Sequence, residues 1–143
     1  MTPYAYKDMV IAYDSRVTRG SYIEDDDCQK CITIKGIKFF CTGTEKSQNA
    51  IIDYWFKGKA DADDVDGNAF VWDGKNLYDI SVDKEEGKIH KDIVDLSKYY
   101  AIGSGTDHAI TAMDLGMSAY QAVRMAAKRD THTGGKIRKV KLK

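Results

Sequence analysis

Residues 2–14 read TPYAYKDMVIAYD, and this stretch decides the predicted fold. Two short apolar runs, at residues 4–6 and 10–12, flank a polar turn. Apolar runs of strand length on both sides of such a turn are typical of a β-hairpin. The chain therefore begins with a predicted strand pair, with Thr2 before its first strand and Asp14 after its second.

Thr2 is a candidate nucleophile. If Met1 is removed, one residue carries both a hydroxyl and a free α-amine. The α-amine titrates near pH ~8 in model peptides, so it can take the hydroxyl proton as a general base. The alternative is that Thr2 belongs to an ordinary terminus without a chemical role.

Composition places the chain among soluble globular proteins. Its 143 residues suit one domain over residues 1–143, and 43% hydrophobic with 31% charged residues is ordinary for that class. The 22 basic and 22 acidic residues cancel, so the charge gives no indication of nucleic acid or a membrane as partner. There is no apolar run of transmembrane length and no signal-peptide pattern, so a cytoplasmic location is expected.

The cysteines and acidic runs do not predict a metal site, and no cofactor is expected. Three cysteines, an odd number, argue against a disulfide framework. Cys28 and Cys31 form a CxxC pair, but the histidines are scattered, so we interpret the thiols as small core residues. Residues 19–27, which end in three aspartates, are predicted to be a solvated loop.

Hairpin and capping signals divide the next part of the chain. Residues 30–34 and 37–41 are predicted to pair around a Lys-Gly turn. Thr44 is a candidate N-cap for a helix over residues 45–57, which Gly58 ends. Residues 60–68 form an acidic connector that fails as an EF-hand loop, because an alanine occupies the first ligand position.

The last part alternates strands with a helix pair. The predicted strands are residues 69–72, 77–81, 99–102 and 136–142, with lysines protecting the edge of the sheet in the last of them. Helical spacing covers residues 109–113 and 119–129, and Ser118 with Gln121 forms a capping box before the second helix. Strands and helices in this order predict an α+β layered sandwich.

Four short motifs carry a resemblance to a known family. AIGSG at residues 101–105 and RDTHTGG at residues 129–135 resemble the strand-to-helix motif and the RDxxSGG segment of proteasome β-subunits and the bacterial HslV peptidase. VIAYDSRVT at residues 10–18 is similar to that family's second strand, and FFCTGT at residues 39–44 to the strand that ends at its oxyanion glycine. The motifs follow one another in the matching order over most of the chain.

The resemblance implies an N-terminal nucleophile (Ntn) hydrolase fold. This is a four-layer αββα sandwich of two antiparallel sheets flanked by helices. The connector at residues 59–68 stands where the family has a long second helix, so one outer helix is expected to be shortened or missing.

The resemblance also implies roles for individual residues. Thr2 would be the nucleophile, Asp14 would orient the site, and Lys30 would lower the proton affinity of Thr2. A nearby lysine disfavours protonation of an amine, and a fixed backbone N–H stabilises an oxyanion. The remaining implied catalytic positions are the amide of Gly43 in the oxyanion hole and the polar cluster of Ser104, Asp130 and Thr133.

Strand parity predicts a substrate pocket. If residues 28–32 are a strand, Cys28, Lys30 and Ile32 share one face, and the same holds for Cys41 and Gly43. An apolar pocket at these faces would accept an apolar, uncharged residue before the cleaved bond. The predicted substrate-binding residues are Val17, Thr18, Cys28, Ile32 and Cys41.

Two functional hypotheses follow. The first is a threonine endopeptidase that hydrolyses peptides or unfolded proteins inside a self-compartmentalised ring of identical chains, with an ATP-dependent unfoldase as a further partner. The second is a catalytically silent relative that retains Met1 and serves in assembly or binding. The first is favoured by the joint presence of Asp14, Lys30, Gly43, Ser104 and Asp130, a set that a silent copy has no chemical reason to keep. Pro3 departs from the family pattern, because proline cannot donate to a sheet ladder and is unusual in a central strand.

Overall fold

The structure, a computed structural model, describes residues 3–143. Its elements follow one another as β1 (Tyr4–Lys7), β2 (Val10–Tyr13), β3 (Val17–Arg19), β4 (Tyr22–Asp25), β5 (Cys31–Ile34), β6 (Ile37–Cys41), α1 (Glu45–Lys57), a 3₁₀ turn (Ala62–Asp64), β7 (Ala69–Trp72), β8 (Leu77–Asp83), β9 (Lys88–Ile93), β10 (Tyr100–Ile102), α2 (Thr106–Asp114), α3 (Ala119–Arg129) and β11 (Arg138–Lys141). The chain divides into two compact units. The first comprises the residues up to Lys30 and Asp95–Lys143, and the second comprises Cys31–Val94.

The first unit contains an antiparallel sheet in the order β10-β1-β2-β11. Asp8 (φ 52°) and Met9 (φ 62°) form the left-handed two-residue turn that joins β1 to β2, which confirms the predicted hairpin. Helices α2 and α3 pack on this sheet through small side chains, which allow a close approach. The buried cluster comprises Ala5, Ala12, Ala109, Ala112, Met113, Ala119, Ala122 and Val123.

The second unit is a five-stranded antiparallel sheet in chain order from β5 to β9, and α1 packs on one face of it. Thr44 Oγ1 accepts a hydrogen bond from Ser47 N at 3.2 Å, and Gly58 ends the helix at φ 76°. Both helix boundaries are therefore as predicted. The buried cluster of this unit comprises Phe39, Ala50, Ile51, Val65, Ala69, Val71 and Ile80.

One prediction about a polar segment is wrong, and one polar strand was not predicted. Residues 19–27, predicted to be a solvated loop, contain most of the β3–β4 hairpin. Two of its three aspartates form ion pairs with arginines: Asp26 lies 2.9 Å from Arg16, and Asp27 lies 2.6 Å from Arg138. Strand β9 was not predicted, because all but one of its residues are exposed and no apolar pattern marks it.

The α+β class is confirmed by three antiparallel sheets and three α-helices within residues 3–143. Strand β11 lies at the edge of its sheet, as the lysine-rich sequence predicts. None of the helices in this range is long and apolar enough to cross a membrane.

Candidate functional site

A buried ion pair lies at the end of the first sheet. Asp14 follows β2 and is 0% exposed, and Lys30 Nζ donates to its Oδ1 at 2.8 Å with a side chain only 9% exposed. The ammonium also donates to the carbonyl of Arg16, and Tyr4 Oη donates to the carbonyl of Lys30 at 2.9 Å. Because Tyr4 pairs with Tyr13, the residue before Asp14, the ion pair lies where β1 begins.

The second carboxylate oxygen of Asp14 anchors the loop after α3. Asp14 Oδ2 accepts a hydrogen bond from Gly134 N at 2.9 Å, and Ser15 N donates to the Gly134 carbonyl at 3.1 Å. Burial raises the pKa of the Asp14 carboxyl above its ordinary value, and the charge of Lys30 is the largest influence that opposes this rise. One carboxylate thus binds an ammonium group and a backbone amide, and both charged side chains are almost fully buried.

A second polar cluster adjoins this loop. Thr133 Oγ1 donates to Asp130 Oδ2 at 2.6 Å, His132 N donates to Asp130 Oδ1 at 3.1 Å, and Ser104 also donates to the carboxylate. Partial burial opposes ionisation of Asp130, but these hydrogen bonds outweigh it and lower its pKa. Ser104 follows β10, whose Ile102 pairs with Tyr4, so this cluster lies at the same end of the sheet.

A cavity of about 290 Å³ opens beside the second cluster, with Asp130 in its wall. The rest of its lining comes from the turn before α2 and the first turn of that helix: Gly103, Gly105, Thr106, Asp107 and His108. The structure thus brings five predicted site residues to one end of one sheet, namely Asp14, Lys30, Ser104, Asp130 and Thr133.

Gly43 belongs to the second unit, in the turn between β6 and α1. It is exposed and has φ 91°, a left-handed conformation that favours glycine. The amides on either side are engaged: Thr42 N donates to the carbonyl of Asn68 at 2.9 Å, and Thr44 N donates to Asp66 Oδ1 at 3.0 Å. Within residues 3–143 no acceptor binds the Gly43 N–H. A backbone N–H with no acceptor, between two residues held by hydrogen bonds, can stabilise an oxyanion.

Thr2 lies outside the described residues. Its predicted role as nucleophile, and any role of Met1, remain predictions. The catalytic roles of Asp14, Lys30, Gly43, Ser104, Asp130 and Thr133 also remain predictions.

The substrate pocket was predicted from alternating positions on two strands, and these strands are shorter than that prediction assumed. Strand β5 begins at Cys31, so Cys28 and Lys30 precede it, and β6 ends at Cys41, before Gly43. Ile32 and Cys41 pack against the cluster beneath α1, and burial raises the pKa of the Cys41 thiol to about 12. The substrate-binding roles of Val17, Thr18, Cys28, Ile32 and Cys41 remain predictions.

The three cysteines have free thiols. Cys28 and Cys31 are half-buried, so the interpretation of the pair as core residues holds only in part. Thr18 contacts His132, with its Oγ1 3.1 Å from the ring Nδ1.

Sequence reasoning missed two groups of residues. Asp66, Ser47 and Asn68 hold the Gly43 turn, but no local signal distinguishes Asp66 from the other aspartates of the connector. Asp83, Glu86 and His90 bring potential metal-binding atoms within 4.8 Å of one another at the β8–β9 turn. That second group lies mostly exposed on a hairpin the sequence did not predict, where acidic groups are common without a metal ion.

Comparison with known proteins identifies the fold alone. No protein-family model matches the chain, and no curated protein matches it. Thiobacillus denitrificans BPH in complex with epoxomicin is similar in structure, with a TM-score of 0.68, 16% identity, and coverage of 99% of this chain and 98% of that chain. A second structure of Thiobacillus denitrificans BPH has a TM-score of 0.65 at 16% identity, with 99% and 98% covered.

Proposed function

We propose that this chain is a threonine peptidase in which Thr2, exposed by removal of Met1, is the nucleophile. The observation that carries the proposal is the buried Asp14–Lys30 pair, which lies beside the start of β1. Strand β1 begins at Tyr4, two residues after Thr2. A lysine ammonium beside an α-amine disfavours protonation of that amine. The amine would then be free to take the proton of the Thr2 hydroxyl.

A contribution to stability does not by itself explain why the chain buries an ion pair. Removing two charges from water costs several kcal/mol per ion, and a well-packed hydrophobic pair of the same size is often as stable or more stable. Asp14 and Lys30 are nearly without solvent contact, so they carry this cost in full. A catalytic role for the pair beside the start of β1 explains why the chain keeps it despite this desolvation cost.

The proposed reaction is acyl transfer to Thr2 followed by hydrolysis. The Thr2 hydroxyl oxygen attacks the scissile carbonyl carbon while the α-amine takes its proton, and the proton then passes to the leaving amine. A water molecule hydrolyses the resulting ester and frees Thr2. The Gly43 N–H would donate to the oxyanion in both steps, and Ser104, Asp130 and Thr133 would hydrogen-bond the α-amine.

The proposal extends to fold and assembly. We propose the four-layer αββα Ntn-hydrolase sandwich, with residues 59–68 in place of one long outer helix, and the likeness to Thiobacillus denitrificans BPH supports it. The active form would be a ring of identical chains that admits peptides or unfolded proteins, supplied by an ATP-dependent unfoldase. Light scattering that returns a particle near the chain mass of 16.0 kDa would contradict the ring.

Intact mass and peptide hydrolysis test the nucleophile together. Active preparations should lack Met1, and Thr2→Ala should lose hydrolysis while Thr2→Ser keeps part of it. Thr111→Ala, on the exposed face of α2, is the matched control and should keep full activity. Epoxomicin, which Thiobacillus denitrificans BPH binds, should inhibit the wild type.

The same experiment decides between the two hypotheses. A preparation that retains Met1 on every chain and still hydrolyses peptides would refute the terminal-amine mechanism, because an amide nitrogen is not basic. A preparation that retains Met1 and is inert would support the silent relative.

A further inference from the structure

The peptide group between Thr42 and Gly43 has a fixed orientation. No peptide bond within residues 3–143 is cis, so the carbonyl of Thr42 and the N–H of Gly43 point in opposite directions. The Thr42 carbonyl oxygen faces Gly67 so closely that a Cβ added there would lie only 2.4 Å from it. The Gly43 N–H therefore points away from the connector.

Residues of the connector hold both neighbours of this peptide. On one side, Asn68 accepts from Thr42 N at 2.9 Å and donates its own N–H to Thr42 Oγ1 at 2.9 Å. On the other side, the Asp66 carboxylate accepts from Thr44 N at 3.0 Å and from Thr44 Oγ1 at 2.8 Å. Gly43 lies between two fixed residues, and a Cβ on it would lie 2.3 Å from Asp66 Oδ1.

Asp66 is itself held by the first turn of α1. The hydroxyl oxygen of Ser47, which is fully buried, accepts from Asp66 N at 3.0 Å and from Gly67 N at 3.3 Å. Ser47 N in turn donates to Thr44 Oγ1 at 3.2 Å. The turn, the helix start and the connector thus form one closed network of hydrogen bonds, in which Asp66 supplies both side-chain acceptors for Thr44.

We infer that Asp66 is a positioning residue for the oxyanion-binding amide of Gly43. It does not reach the substrate; it fixes Thr44, and through Thr44 the direction of the Gly43 N–H. A donor that is already oriented stabilises an oxyanion without reorganisation during the reaction. The inference rests on the proposed peptidase function and assigns a role to the connector, which replaces the long second helix of the family that the sequence resembles.

The test compares Asp66→Ala and Asp66→Asn in the processed full-length protein, with Asp64→Ala as the matched control. Asp64 belongs to the same connector but pairs with Lys46 at 3.1 Å, away from the Gly43 turn. The measurements are kcat and KM for a fluorogenic peptide and the affinities of a peptide aldehyde and the corresponding alcohol. The aldehyde forms a tetrahedral adduct with an oxyanion, whereas the alcohol does not.

Asp66→Ala should lower kcat/KM and the aldehyde affinity by a common factor of roughly 10 to 100, below the roughly 100- to 1,000-fold effect of deleting an oxyanion donor. The alcohol affinity should stay unchanged. Asp66→Asn, which keeps an acceptor for Thr44 N, should recover most of the loss, and Asp64→Ala should behave as wild type. Equal weakening of aldehyde and alcohol, or no weakening of either, would overturn the inference.

A measurement independent of catalysis separates this inference from the proposed function. In NMR spectra, Asp66→Ala should move the amide resonance of Gly43 and speed hydrogen exchange at Thr44 N, while Asp64→Ala leaves both unchanged. If Asp66→Ala does not fold, Gly67→Ala displaces the same peptide through the Thr42 carbonyl and should move the same resonance. An inert wild type with these shifts would refute only the peptidase, and an unmoved Gly43 resonance would refute the positioning role.

Discussion

Two parts of the molecule to which the proposal assigns catalytic roles are held in place by different means. In the first unit, a carboxylate and an ammonium group meet in a nearly dry environment, with Asp14 0% and Lys30 9% exposed. In the second unit, Gly43 and Asp66 are both exposed, and a chain of ordinary hydrogen bonds holds the turn. The first part depends on charge and the second on backbone shape, so they should fail under different changes.

Solvent access explains this difference. A charge left alone in a buried site has no water to replace its partner, so removing one member of a buried pair is costly. An exposed carboxylate that loses a partner is rehydrated, so the same change at the surface costs little. The turn, by contrast, is crowded: a Cβ on Gly67 would lie 2.4 Å from the Thr42 carbonyl oxygen, and one on Gly43 would lie 3.2 Å from the backbone of Gly67.

The largest effect is expected for Lys30→Met, which leaves Asp14 buried without a cation. We expect a loss of about 3–5 kcal/mol in unfolding free energy at neutral pH, together with loss of hydrolysis. Urea denaturation measures the first quantity. Lys57→Met, which breaks the exposed Asp53–Lys57 pair at 3.6 Å, is the matched control and should change stability by less than about 0.5 kcal/mol.

The pH dependence of this variant has a definite sign. Burial already raises the pKa of Asp14 above its ordinary 3.8, and loss of Lys30 should raise it further. Stability linked to a raised pKa is fully present below the unfolded value and is lost as pH rises through the folded one. The unfolding free energy of Lys30→Met should therefore be closest to that of the wild type at acidic pH, and the difference should grow toward neutral pH. A difference in unfolding free energy that grows as the pH falls would contradict the prediction that Asp14 is left as a buried, unpaired charge.

A smaller loss of unfolding free energy is expected for Gly43→Ala, which tests whether the turn depends on its left-handed backbone conformation. Alanine at φ 91° is strained, and its Cβ would lie 2.3 Å from Asp66 Oδ1, so this oxygen must move away from its hydrogen bond with Thr44 N. Gly36→Ala is the matched control, because Gly36 also has a positive φ of 80° but nothing lies within 4 Å of the added Cβ. Both should lose about 1–2 kcal/mol through strain, and Gly43→Ala should lose a further ~1–3 kcal/mol through crowding. Equal losses in thermal or urea unfolding would show that the turn has room.

Local signals explain which parts of the fold were predictable. The N-cap at Thr44, the left-handed Gly58 and the capping box of Ser118 with Gln121 act within a few residues, and each lies where the sequence predicts. Exposed strands such as β9 carry no apolar pattern and were missed. Their pairing depends on neighbouring strands, which the sequence of one segment does not contain.

The candidate site was predictable only in part, because its contacts join distant positions. The resemblance to a peptidase family indicated Asp14 and Lys30, but no spacing rule gives the bond between Asp14 and Gly134, 120 positions apart. Asp66 was missed for a related reason. The connector offers several aspartates, and only the return of the chain to Thr44 selects one of them.

The smallest effect is expected for Asp130→Asn, and it distinguishes a hydrogen-bonded carboxylate from the buried Asp14. Donors including Thr133 and Ser104 outweigh partial burial and lower the pKa of Asp130 below its ordinary 3.8. Stability linked to a lowered pKa is present above the unfolded value and is lost as pH falls through the folded one. Asp130→Asn should thus lower the unfolding free energy by on the order of 1 kcal/mol at neutral pH. This difference from the wild type should disappear below pH ~4. Thr133→Val, which keeps the carboxyl and removes one donor, should produce part of the same pH-dependent gap. Urea unfolding across this pH range measures both variants, and a gap independent of pH would mean that the hydrogen bonds do not favour the ionised form.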